Sequence, residues 1–208
     1  MFHATVLLAA TLGLEPGSAD AVTAPPPVVV AAEDLDIPGR SALIDADASA
    51  ITFAVRMRWF SRVEGDFARF RGQVRAYWEG SRQVEVEVEA GSLDVGGRRR
   101  MTEWASSDEF FDVENHPLIV FVSDPFNPAL AATGGPLNGD LTLRGVTRRV
   151  GFTMLPVQCP RAGRDCPIRV EGRVSRAFFD MTAHRMAVQD QVELSFEVWL
   201  QDGGDGSP

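Results

Sequence analysis

ITFAVRMRW (residues 51–59) alternates without a break: Ile51, Phe53, Val55, Met57 and Trp59 fall on one side, and Thr52, Ala54, Arg56 and Arg58 on the other. A strand puts successive side chains on opposite faces, so the stretch predicts a strand with one large apolar face. Two further windows repeat the pattern. Val84, Val86 and Val88 alternate with Glu85, Glu87 and Glu89, and Val192, Leu194, Phe196 and Val198 alternate with Glu193, Ser195 and Glu197. One-sided strands of this kind belong to antiparallel sheets.

Outward from these windows, residues 69–78, 118–123, 137–143, 148–155 and 168–175 read as strands, most of them separated by Gly, Pro, Asn or Asp clusters, for about eight strands in all. Such a set closes into a barrel whose interior is filled by side chains or holds one small ligand. On pattern alone a two-sheet sandwich stays open. One segment breaks the alternation: residues 98–111 (RRRMTEWASSDEFF) place Met101, Trp104 and Ala105 at helical spacing. This predicts a short amphipathic helix packed on the barrel, either over a mouth or as plain core cover.

The chain of 208 residues has the length of one all-β domain. Its formal charge of -9 repels phosphate backbones, which counts against nucleic acid as a partner. Residues 4–12 form an apolar run, followed by Ala19, Asp20 and Ala21 in an A-x-A-like cleavage pattern, although only His3 stands where a positive leader is usual. A signal peptide over residues 1–21 and export to the periplasm are therefore expected. The run is about half the ~20 residues a membrane-spanning helix needs, so the mature protein is not expected to span a membrane. Residues 22–40, with Pro25, Pro26, Pro27 and Pro38, read as an extended linker. The folded domain is expected over 41–201, and residues 202–208 (DGGDGSP) as a disordered tail.

Cys159 and Cys166 lie in PVQCPRAGRDCPI (residues 156–168), a loop composition. In an exported chain this spacing reads as a local disulfide; C-x-x-C or nearby histidines, which redox or metal chemistry would need, are missing. Of the three histidines, His3 falls in the leader, and His116 and His184 have no carboxylates at motif spacing, so no metal site is expected. No nucleophile elbow, paired catalytic carboxylates, dinucleotide fingerprint or haem-attachment motif occurs. The sequence reads as a non-enzyme without a cofactor.

Three stretches resemble a known family. FAVRMRWFSRVEGDF (residues 53–67) looks like its first strand and Gly-x-Phe turn. SDEFFDVENHPLIVFVS (107–123) looks like its S-x-x-FFDV-x-x-x-P-x-I-x-F-x-S segment, and GDLTLRGVTRRV (139–150) looks like its G-x-L-T-x-x-G-V-T-x-x-V hairpin. They occur in family order, and the resemblance runs from about Ala42 to Gln201, including Arg176 and the Asp190-x-Val192 region, to the YceI-like family of polyisoprenoid-binding periplasmic proteins. It implies an extended eight-stranded lipocalin-like barrel around an apolar tunnel for an isoprenoid chain, of a quinone or a polyprenyl lipid. Dimers are common in the family, which makes a homodimer an expectation.

The sequence departs from the family where many members carry histidines: Met57, Trp104 and Arg144 stand there, so headgroup contacts of those histidines do not carry over. The disulfide loop is likewise outside the general pattern.

Candidate tunnel residues follow from inward parity. They are Phe53, Val55, Met57 and Trp59 on the first strand; Phe70, Val74 and Trp78 on the second; and Phe121, Leu141, Leu143, Phe152, Met154 and Phe196 beyond. Trp104, Phe110 and Phe111 join them from the helix region, with plain core packing as the competing reading for each. Adjacency puts only one of the two phenylalanines on a given strand face. Arg98, Arg99 and Arg100 oppose the helix dipole and read either as a solvated run or as a contact for a lipid diphosphate at the mouth. The expected function is non-enzymatic carriage of a long isoprenoid lipid; the alternative is a protein-interaction or stress-response module with a filled barrel.

Overall fold

The computed structural model describes residues 41–58 and 61–201. The expected leader, linker and tail, and the candidate Trp59, lie outside the described residues. The strands are β1 (Ser41–Leu43), β2 (Ala50–Met57), β3 (Arg62–Phe67), β4 (Phe70–Ala76), β5 (Arg82–Glu89), β6 (Leu93–Asp94), β7 (Leu118–Ser123), β8 (Gly135–Leu143), β9 (Val146–Met154), β10 (Ile168–Ser175) and β11 (Val188–Val198). They form one antiparallel sheet in the order β1-β4-β5-β7-β8-β9-β10-β11-β2-β3-β6, which favours a curled, barrel-like wall over two packed sheets.

Among the described residues there are eleven strands where about eight were expected, the additions being β1, β3 and β6. β1 and β6 have three and two residues, too few to carry a period. β3 does alternate, with Val63 and Phe67 buried, but Gly65 stands at the inward position between them and interrupts the apolar signal.

The sheet curls because its edge segments bond across. After β1, the Ile44 N–H donates to the Gly72 carbonyl at 2.8 Å, and the Asp45 N–H donates to that of Trp199 at 2.9 Å. The Gln201 N–H returns a bond to Leu43 at 2.9 Å, so one short segment spans from β4 to the end of β11. On the other side β5 continues through a 3-10 turn (Ala90–Ser92) into β6, which pairs with β3 through Asp66 and Asp94 and through Phe67 and Leu93.

The outward residues pair as ions along the strands: Arg71 with Glu87, Arg75 with Glu85, and Arg62 and Arg173 with Glu193. This accounts for the glutamate rows that alternate with valine. Such exposed pairs add little stability each. They fix which face is wet.

Three inward strand positions are glycines lying beneath phenylalanine rings. An added Cβ at Gly65 would come within 2.4 Å of the Phe53 ring, at Gly139 within 2.6 Å of Phe121, and at Gly172 within 2.3 Å of Phe152. Each ring therefore rests over the backbone of a neighbouring strand. The β8–β9 hairpin closes on Arg144 and Gly145, with φ of 53° and 70°, the mirror-image turn that matches strand twist.

The helix α1 covers Arg99–Ser106, shorter than the 98–111 window. It stops where Ser107 turns to extended backbone, and a series of turns follows in which Phe110 N–H donates to Ser107 and His116 N–H to Asp112. A second helix, α2 (Leu130–Thr133), was not anticipated; four residues carry no helical period.

Cys159 and Cys166 are bonded across a separation of seven residues. Closing so short a loop restricts the unfolded chain by about 2–3 kcal/mol in the chain-entropy account. Cys159→Ser with Cys166→Ser is expected to lower unfolding stability by that order, read as a shifted urea midpoint with an unchanged slope.

Candidate functional site

The inward faces of the strands do not fill the interior. They enclose a cavity of about 710 Å³ whose lining among the described residues is apolar except for Arg82, Asn127 and Arg176. Along the middle, Phe53 and Val55 on β2, Phe121 on β7, Leu141 on β8, Phe152 on β9 and Phe196 on β11 face this space. The rings stack edge to face: Phe152 meets Phe121 at 5.2 Å and Phe196 at 5.4 Å. Leu194 and Phe196 touch the buried clusters on both sides of the interior, as residues bordering a hollow do.

Most of the sequence candidates line the cavity: to those just named are added Met57, Val74, Trp104, Phe110, Phe111, Leu143 and Met154. Two do not. Trp78 is 86% exposed, because β4 ends at Ala76 and the turn closed by Tyr77 and Ser81 puts the indole at a hairpin tip. Phe70, at the start of β4, packs against the clusters of the wall but is outside the lining. Arg98, Arg99 and Arg100 are also outside it; Arg99 pairs with Glu103 at 2.8 Å and Arg98 donates to the Val95 carbonyl at 3.2 Å.

Phe110 and Phe111 both reach the cavity, because they lie in turns after α1 and not on a strand where parity would separate them. Phe111 enters among Phe53 and Phe67, at 6.2 and 5.7 Å. Phe110 sits at the end, against Trp104 at 4.6 Å.

That end is shaped by α1 and by the segment 176–187 between β10 and β11. The Glu109 carboxylate Oε2 lies 3.0 Å from His184 Nε2 and accepts from the Trp104 indole at 3.1 Å. The His184 ring stacks parallel to Phe110 at 6.0 Å. The hydrogen bond from His184, then that from Trp104, holds the Glu109 carboxyl below the usual glutamate range. A lowered folded value means that this contribution is present above the unfolded value and lost as pH falls through the folded one. At acid pH below the ordinary glutamate range, the Glu109 link between α1 and 176–187 is therefore expected to open. Hydrogen exchange of the Ala187 and Val188 amides, both bonded to His184 O, reads it. Glu109→Gln should remove the pH step.

The opposite end holds Asn127, Pro128 and Ala129 before α2, with Ala131 and Ala132 on it, and Cys159 and Ala162 of the disulfide loop. Val157 N–H donates to Ala131 O at 2.9 Å and ties the two together. Sequence parity could have found Val86, Leu137, Val170 and Leu194, which share the inward side with residues that were named. Arg82 and Asn127 gave no such signal, since a polar side chain facing inward breaks the apolar pattern, and Arg176 stood out only as part of the family resemblance, not as a lining residue.

No group of three or more His, Cys, Asp or Glu residues that could hold a metal is gathered among the described residues. No helix among them is long and apolar enough to cross a membrane.

A curled antiparallel sheet around an apolar cavity is a lipocalin-like architecture. The YceI-like domain model matches residues 43–200, and the chain belongs to that family. Its fold resembles BcnA of Burkholderia cenocepacia, at 20% identity and a TM-score of 0.62 over 74% of this chain and 98% of that one. It also resembles a polyisoprenoid binding domain from Saccharophagus degradans implicated in plant cell wall breakdown, at 13% identity and 0.59 over 79% and 99%. The YCEI protein of Campylobacter jejuni aligns at 17% identity and 0.55 over 69% and 88%. No curated protein matches.

Proposed function

We propose that the chain is a non-enzymatic carrier that holds a long apolar lipid of isoprenoid type, quinone or polyprenyl, inside its barrel-like wall in the periplasm. The observation that carries this reading is the apolar cavity of about 710 Å³ running between α1 and the disulfide loop. Its size falls within the roughly 300–1,000 Å³ typical of ligand sites. Each methylene withdrawn from water contributes about 0.8 kcal/mol, so several isoprene units bind tightly without a hydrogen bond. The likeness to a polyisoprenoid binding domain points the same way. The apolar run and small-residue pattern in residues 1–21, and a disulfide between Cys159 and Cys166, support export.

The interaction-module alternative takes a filled barrel as its premise, and the hollow interior counts against that premise. Native mass spectrometry of the purified protein, with organic extraction, tests the carrier. A co-purifying or added polyprenol or quinone is expected to bind at one per chain; repeated absence of both rejects the reading.

A further inference from the structure

Among the described residues, Arg176 is the one buried cation at the α1 end of the cavity. It is 3% exposed, yet its side chain lines an otherwise apolar space beside Trp104 and Phe110. Burial of a charge is costly unless it is paired. Here the guanidinium donates only to carbonyls: Nη1 to Met181 at 2.9 Å, Nη2 to Val188 at 3.2 Å and Nε to Gln189 at 3.2 Å. Its carbon stands 5.7 Å from the Phe110 ring centroid.

Among the described residues no carboxylate comes within ion-pair distance of this group. Asp190 acts on it from further away, and its own oxygen accepts from the Ala177 N–H at 3.0 Å. A guanidinium has five N–H donors, and three are used. Burial accordingly lowers the Arg176 pKa, as expected for a cation short of counter-charge. Carbonyl dipoles hold the fork in place without cancelling its charge.

We infer that Arg176 is the headgroup-reading residue of the cavity, and that the ligand carries at its α1 end a hydrogen-bond-accepting, preferably anionic group such as a carboxylate or phosphate. This rests on the carrier reading and adds to it which end of the lipid is polar and what that pole is. The remaining N–H donors would supply a charge-assisted bond in an apolar-lined space of low dielectric, where such a bond is strongest. A cationic head meets a like charge at the same point.

The test uses the full chain and three ligands with one chain length: octadecanoate, octadecanol and octadecylammonium, each displacing the neutral fluorophore N-phenyl-1-naphthylamine. Octadecanoate is expected to bind about tenfold or more tighter than octadecanol, and octadecylammonium weaker than both. In Arg176→Met the three affinities should converge. Should that variant fail to fold, arginine side-chain NMR of the natural chain decides: the Arg176 Nε–H resonance moves with octadecanoate and stays with octadecanol. Equal affinities for all three heads, or a folded Arg176→Met that keeps the carboxylate preference, overturns the inference and leaves the carrier intact. Failure of all three to bind overturns the carrier reading itself.

Discussion

Leu194→Trp combined with Val86→Trp is expected to abolish uptake of cis-parinarate while leaving the fold in place. Both side chains border the hollow, one on β11 and one on β5, and both are only partly buried because they face empty space. An indole projected from either enters that space without displacing a packed neighbour, so the usual overpacking penalty of about 1–3 kcal/mol is largely avoided. The ligand bears the effect. If each indole denies the chain about four methylenes of contact at about 0.8 kcal/mol apiece, one substitution weakens binding by about 3 kcal/mol, or roughly 200-fold, and the pair takes it beyond measurement. Fluorescence titration gives the affinity and a urea curve checks the fold. Unchanged affinity in a folded double variant would refute the location of the site.

This outcome bears on how much could be read in advance. The alternation at Ile51, Phe53, Val55 and Met57 sufficed for an antiparallel wall, because period two records which side chains share a face and the wall is built by that rule throughout. It could not tell a packed interior from a hollow one. Phe121 and Phe152 have the same parity whether their rings meet across a core or rest along a wall. The contacts at the ends were out of reach for a different reason. Glu109 and His184 meet, and Arg176 comes over Phe110, through turns and the 176–187 segment, where no period operates and residues 75 positions apart are brought together. Trp78 was misplaced because a hairpin turn ended the strand two residues early.

The second large effect is expected at Gly172. A β-branched side chain there would drive its Cβ to 2.3 Å from Phe152 Cδ1, with the Gly151 carbonyl at 3.4 Å behind it. Gly172→Val should therefore cost about 1–3 kcal/mol through forced movement of the ring. The specific claim is the coupling. In Gly172→Val with Phe152→Leu, most of that cost should vanish, giving a non-additive term of about 1 kcal/mol or more in a double-mutant cycle of urea unfolding. Strict additivity would mean that the ring does not occupy the space over the glycine.

The three glycines under Phe53, Phe121 and Phe152 carry a consequence for the bore of the molecule. In a wall of side chains standing upright, internal diameter is dictated by strand number and tilt. Here three aromatic rings lie down where the neighbouring strand is only a backbone thick, so girth is decoupled from register. Adding one or two carbons at Gly172 raises the Phe152 ring and narrows the channel locally, whereas at Gly65 and Gly139 the added carbon also meets the Asp94 and Val122 carbonyls at 2.4 Å, so the neighbouring strand must shift as well. The calibre of the ligand is thus set by a few parking places in the wall.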